Sequence, residues 1–120
     1  MIVDDDPAIR LLVSKALQAS GYDTIEASDG LAASELLGRK SAPPDLLICD
    51  VMMPTIDGFS LARLVKGHAE LRNMPIIFLT AKTQAGDIMT GIRLGARHYI
   101  QKPFKIVDLL DKVAKTLARG

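Results

Sequence analysis

The chain has little of what several kinds of protein chemistry require. Its one cysteine, Cys49, excludes an internal disulfide and any zinc site built on several thiolates. Its two histidines, His68 and His98, stand far apart, which argues against a histidine-rich metal centre. Tryptophan is absent and aromatic residues make up only 4%, so the core must be aliphatic. No apolar run approaches the roughly 20 residues that a bilayer span needs. No basic-then-apolar leader opens the sequence, so the expected setting is cytoplasmic, reducing and away from membranes. Neither a glycine-rich nucleotide cradle nor a Ser-His-Asp arrangement is present, and no helix-turn-helix suggests nucleic-acid binding by this chain.

What is present suffices for one domain over residues 1–120. The composition is 48% apolar, and a chain of this size buries about two-thirds of its unfolded surface. The net charge of +1 conceals a split. Residues 1–60 carry 4 basic and 10 acidic side chains, a balance of −6, and residues 61–120 carry 11 basic and 4 acidic, a balance of +7. Chance is the plain explanation. The sharper one is that acids from one half and bases from the other converge on a site.

Apolar periodicity switches repeatedly between strand and helix. Ile2-Val3 is a short first strand. Asp6-Pro7 reads as a helix cap, and Ile9, Leu12, Val13, Ala16 and Leu17 follow at helical spacing up to Gly21. Residues 22–27 read as a second strand, and a small helix follows the turn Ser28-Asp29-Gly30. Residues 46–49 and 75–79 are continuous apolar runs, suited to central strands of a parallel sheet covered on both faces. A helix lies between them from Asp57-Gly58 onward. Another runs around residues 87–94, closed by Gly95, and residues 97–101 form a last strand. Ile106, Leu109, Leu110, Val113 and Leu117 mark a final amphipathic helix.

Five strands alternating with five helices predict an α/β fold, a doubly wound five-stranded parallel sheet of (βα)5 type in order 2-1-3-4-5. Ligands on such sheets bind beyond the carboxyl ends of the strands. The residues there are Asp4, Asp5 and Asp6 after the first strand, Asp50 after the third, Thr80 after the fourth and Lys102 after the fifth. Three clustered carboxylates repel one another, and a divalent cation removes that repulsion. All-oxygen ligands favour a hard ion, Mg²⁺, with Mn²⁺ as the alternative. Lys102 and Thr80 suit phosphoryl oxygens, and no anion other than Asp50 and its phosphoryl group is evident for either. Asp50, between a buried strand and the stiff loop Val51-Met52-Met53-Pro54, is placed to act as a nucleophile toward phosphorus.

Val3-Asp4-Asp5, Asp50 with Met53-Pro54 and Asp57-Gly58, Leu79-Thr80-Ala81, Gly95-Ala96 and Lys102-Pro103-Phe104 occur in that order over nearly the whole chain. In this the sequence resembles the response-regulator receiver domains of two-component signalling, whose fold is called flavodoxin-like or CheY-like. The resemblance implies that Asp50 accepts a phosphoryl group from a phosphohistidine on a sensor histidine kinase or phosphotransfer protein. It implies Mg²⁺ held by Asp4, Asp5, Asp50 and the backbone carbonyl of Met52, and a cis Lys102-Pro103 bond. It implies that Thr80 and Tyr99 couple phosphorylation to a face of helix four, strand five and helix five, which meets an output partner or domain or a second copy. Arg97 and His98 stand where relatives often carry acids, a departure from the family's dimer contacts. The resemblance describes a signalling phosphoacceptor that assists its own phosphorylation and dephosphorylation, not an enzyme.

Two other classes fit the residues less well. A receiver-like binding module that works without phosphorylation usually lacks one of these acids or the lysine, and none is missing. A metal-dependent phosphohydrolase would want an acid two residues after the nucleophile, where Met52 stands, and a cap over its substrate. Asp6 and Asp57 read as helix caps, Cys49 as core, Met52 and Met53 as loop packing, and His68 as an incidental residue on an exposed stretch of the third helix. Arg93, Arg97, Lys105, Lys112, Lys115 and Arg119 predict a basic signalling side that prefers an acidic partner. An apolar Met52 at the pocket mouth positions an attacking water poorly, which predicts a long-lived phosphoryl group.

Overall fold

The computed structural model describes residues 1–39 and 42–118. Its elements are β1 (Ile2–Val3), α1 (Pro7–Ala19), β2 (Glu26–Ala27), α2 (Gly30–Leu37), β3 (Leu47–Cys49), α3 (Gly58–Gly67), β4 (Ile76–Thr80), α4 (Ala85–Arg93), β5 (Ala96–Gln101) and α5 (Ile106–Ala118). All neighbouring strands pair in parallel, in the order β2-β1-β3-β4-β5.

The apolar runs build two cores, one on each face of the sheet. Leu47, Cys49, Ile76 and Phe78 pack with Ala33, Leu37, Leu61 and Val65 of α2 and α3. Ile48, Ile77 and Leu79 point the other way, against Val13 and Leu17 of α1 and Leu109 and Val113 of α5. This is the period-two alternation of strands buried on both faces. Helix starts follow their caps. Asp6 accepts a hydrogen bond from the Ala8 amide, Asp29 from Ala32 and Asp57 from Ser60, and Gln84 and Asp87 form a reciprocal capping box at α4.

Three sequence expectations need correction. The second strand is two residues rather than six. Gly21 takes a positive φ of 92° and the Tyr22 amide bonds back to the Leu17 carbonyl, so the chain is still closing α1 there. The Thr24 hydroxyl is 2.9 Å from that of Ser14 and accepts from Gln18 at 2.8 Å, tying residues 22–24 to α1 instead of the sheet. His68 does not lie within the third helix but caps its end, exposed. Met52 is not packed: it is 63% exposed, while Met53 does pack against the core. Arg119 falls outside the described residues. No helix among the described residues is long and apolar enough to cross a membrane.

Candidate functional site

Parallel pairing aligns the strand ends. Val3 pairs with Cys49 and Cys49 with Phe78, so Asp4 and Asp50 leave their strands side by side. Thr80 pairs with Gln101, which places Lys102 one residue beyond the same rim. Strands β1, β3, β4 and β5 therefore deliver Asp4, Asp50, Thr80 and Lys102 to one end of the sheet. Asp4, Asp50 and Thr80 are buried and Asp5 is exposed.

Lys102 closes the rim. Its Nζ lies 2.7 Å from Asp4 Oδ2 and 2.9 Å from Asp50 Oδ2. The expectation that Lys102 would find no anion besides Asp50 is thus overturned: it serves two buried carboxylates. The Lys102-Pro103 bond is cis. Asp4 Oδ1 also accepts from the Asp6 amide at 2.9 Å, and Asp50 Oδ1 from the Met52 amide at 3.2 Å.

Oxygens of Asp4, Asp5 and Asp50 all come within 4.8 Å of one another, close enough for one cation. One ammonium cannot balance three carboxylates, and the donors are all hard oxygens, so the residues present fit a Mg²⁺-sized hard ion. The electrostatics agree. Burial pushes the Asp4 carboxyl above its ordinary pKa, Lys102 pulls it back, and Asp50 adds to the rise. Burial works against the charge on Lys102, but its bonds to Asp4 and Asp50 prevail and its pKa rises. Cys49, fully buried behind Asp50, is held protonated by burial and by the neighbouring acids, consistent with a packing role.

The surrounding loops are set by close contacts. A Cβ on Gly58 would stand 2.1 Å from the Asp50 carbonyl oxygen, so only glycine lets α3 start this close beneath the nucleophile candidate. Thr55, in the same loop, has a positive φ of 68°. The mouth is an open cleft of about 400 Å³ lined by Asp5, Met52, Met53, Pro54, Phe59 and Lys82. On the far side, Thr80 Oγ1 accepts from the Lys82 amide at 3.1 Å, and the Tyr99 hydroxyl donates to the Lys82 carbonyl. Thr80 and Tyr99 are therefore linked through one residue. The Tyr99 ring packs on Phe78 at 5.7 Å. A Cβ on Gly91 would stand 2.8 Å from that ring, so α4 makes room for it with a missing side chain.

Two contributors escaped the sequence reading. Arg10 donates from Nη1 to the Asp4 carbonyl at 2.7 Å, and its Nε lies 3.4 Å from Glu26 of β2. Nothing in the spacing marks an arginine in the first turns of a helix as a partner of a strand end. Gly91 carries no local signal either, because the ring it accommodates belongs to another element.

Comparison with known proteins adds the following. The family described as response regulator receiver domain matches residues 1–114. The DNA-binding dual master transcriptional regulator RpaA of a Synechocystis strain is 37% identical over 119 residues, covering 99% of this chain and 48% of that protein. The chain spans about half the length of the curated relatives it matches. A putative response regulator from Chloroflexus aurantiacus superimposes with a TM-score of 0.89 at 36% identity, covering 98% of this chain and 95% of that one. The receiver domain of a sensor histidine kinase from Pseudomonas aeruginosa PAO1, solved with a magnesium ion coordinated in its active-site cleft, gives a TM-score of 0.86 at 27% identity, covering 98% and 94%.

Proposed function

This chain belongs to the response regulator receiver domain family, and from that premise we propose that it is a phosphoacceptor switch whose acceptor is Asp50. One observation carries the reading: a single lysine ammonium bonds two buried strand-end carboxylates, Asp4 and Asp50, with a third, Asp5, within reach of the same cation.

In this reading an Asp50 carboxylate oxygen attacks the phosphorus of a phosphohistidine on a sensor kinase or phosphotransfer protein. The P–O bond to Asp50 forms as the P–N bond breaks, and the imidazole nitrogen leaves with the electron pair. Asp4, Asp5, Asp50 and the Met52 carbonyl would hold Mg²⁺, which supplies charge neutralisation for the transferring group. Lys102 already reaches Asp50 and is placed to follow the phosphoryl oxygens while keeping its bond to Asp4. Thr80, linked through Lys82 to Tyr99, carries the change toward α4, β5 and α5. The chain itself supplies positioning and no turnover of a separate substrate, so it acts as a signalling domain and not as an enzyme.

The output partner is either a further domain or a separate protein, met through the α4-β5-α5 side, alone or as a phosphorylation-dependent dimer. Relatives of about twice this length include two named as DNA-binding, which favours an output domain of that kind. Arg93, Arg97 and Lys105 are exposed on this side, whereas Lys115 pairs with Asp111 at 3.0 Å.

Incubation with acetyl phosphate and Mg²⁺ tests the reading. The wild-type chain should gain the mass of one phosphoryl group, and Asp50→Asn should not. An unchanged wild-type mass would overturn it. The exposed Met52 at the mouth predicts slow loss of that group, and Met52→Asn should speed it. An equal hydrolysis rate in the variant would contradict this.

A further inference from the structure

We infer that Arg10 is a positioning residue of the metal pocket, orienting the peptide unit that joins Asp4 to Asp5. The inference rests on the metal-assisted phosphoacceptor reading and concerns a residue outside the acids and the lysine.

The two acids are anchored differently. The Asp4 carboxylate is held by the Asp6 amide and by Lys102. The Asp5 side chain has no hydrogen-bond or ion-pair partner among the described residues, so its main chain decides where it points. The Asp4 carbonyl and the Asp5 amide belong to one planar unit. Fixing the direction of that carbonyl fixes the plane, and with it the Asp5 Cα and the base of its side chain.

Arg10 supplies the fixing contact. β1 ends at Val3, so the Asp4 carbonyl lies past the last ladder partner and needs a donor from elsewhere. The Arg10 Nη1 donates to it at 2.7 Å. The Nε of the same rigid guanidinium is 3.4 Å from Glu26 Oε1 on the neighbouring strand, so the fork spans β2 and the end of β1. The Arg10 side chain is 20% exposed, largely withdrawn from solvent.

A purely electrostatic role predicts the opposite sign. A guanidinium beside a cation site repels the cation, so its removal would strengthen binding. Loss of a clamp weakens binding instead, and loss of an outer contact to a metal ligand typically costs about 10- to 100-fold in affinity. Glu26 orients the fork and partly cancels its charge, so its loss should act in the same direction but less.

The test is Mg²⁺ titration by calorimetry, with metal-free thermal melts of each variant alongside. Arg10→Met should bind Mg²⁺ about 10-fold more weakly, with Arg10→Lys intermediate because an ammonium cannot hold both partners in one plane. Arg10→Lys keeps the positive charge, so weaker binding in it isolates the lost clamp, and it carries the test if Arg10→Met fails to fold. Affinity in both variants equal to or above that of the wild type would overturn the inference while leaving the metal reading in place. Asp5→Asn should lose binding. A wild-type chain that binds no Mg²⁺ would overturn the metal reading and this inference together.

Discussion

On the β1–β3 side of the pocket, Asp4 and Asp50 are buried and each carboxylate oxygen has a named donor, whereas on the β4–β5 side the residues beside them rest on a helix that buries one glycine. The supporting elements differ in the same way. α3 buries Gly58, Leu61, Ala62 and Val65, while Met89 and Ile92 of α4 are 48% and 57% exposed. Few buried apolar contacts mean low local stability, the condition under which an element can shift at small cost. On the proposed reading the difference is a division of labour: a fixed β1–β3 side suited to chemistry and a loosely held α4 suited to reporting it.

The sharpest break in this comparison would come from the fixed side. Leu61→Ala, at a fully buried position, should destabilise the chain by about 2–5 kcal/mol in denaturant melts. A cost near zero would mean that α3 is no better anchored than α4.

Next in size is Gly91→Ala. Its methyl collides with the Tyr99 ring and should cost about 1–3 kcal/mol unless the ring moves away. A second readout separates these outcomes. Burial, then Asp87 and Asp50, raises the Tyr99 phenol from its ordinary 10.0 to about 12. If the ring leaves, the pKa falls back toward 10.0, which phenolate absorbance detects because the chain has two tyrosines and no tryptophan. The sign for stability follows. A folded pKa above the unfolded one contributes stability that is complete below pH 10 and is lost as the pH rises toward about 12. Wild type should therefore lose stability across that window more steeply than Tyr99→Phe.

A smaller effect tests the loop under the pocket. Thr55 holds a left-handed backbone that is costly for a β-branched residue, about 1–2 kcal/mol. Glycine relieves this but gains freedom in the unfolded state, so Thr55→Gly should stabilise by a net of about 0.5–1 kcal/mol. Destabilisation would show that the Thr55 hydroxyl bond to the Pro54 carbonyl outweighs the backbone strain. The smallest expected effect is Ile92→Ala on α4, within about 0.5 kcal/mol of wild type.

How much of this was legible in the sequence follows from the range of each interaction. Strand-end residues were legible because parallel order and apolar runs are local patterns, and the rule that sites lie past the carboxyl ends converts them into Asp4, Asp50, Thr80 and Lys102. The caps Asp6 and Asp57 were legible for the same reason. The second strand was not, because Thr24 prefers hydroxyl partners on α1 to ladder pairing. Nor was the bond from Lys102 to Asp4, since it joins opposite ends of the chain and depends on register. Arg10 and Gly91 act on other elements, so neither shows a spacing that marks it. The exposure of Met52 depends on how the following loop is held, with Gly58 against the Asp50 carbonyl.

The most direct test of the fixed and reporting sides is amide hydrogen exchange with Mg²⁺, with and without acetyl phosphate, on the wild-type chain and on Asp50→Asn. The account predicts that acetyl phosphate changes exchange chiefly in residues 81–101 of the wild type, leaves α1 and α3 nearly unchanged, and has no effect on Asp50→Asn. Changes centred on α1 and α3, or the same changes in Asp50→Asn, would contradict it.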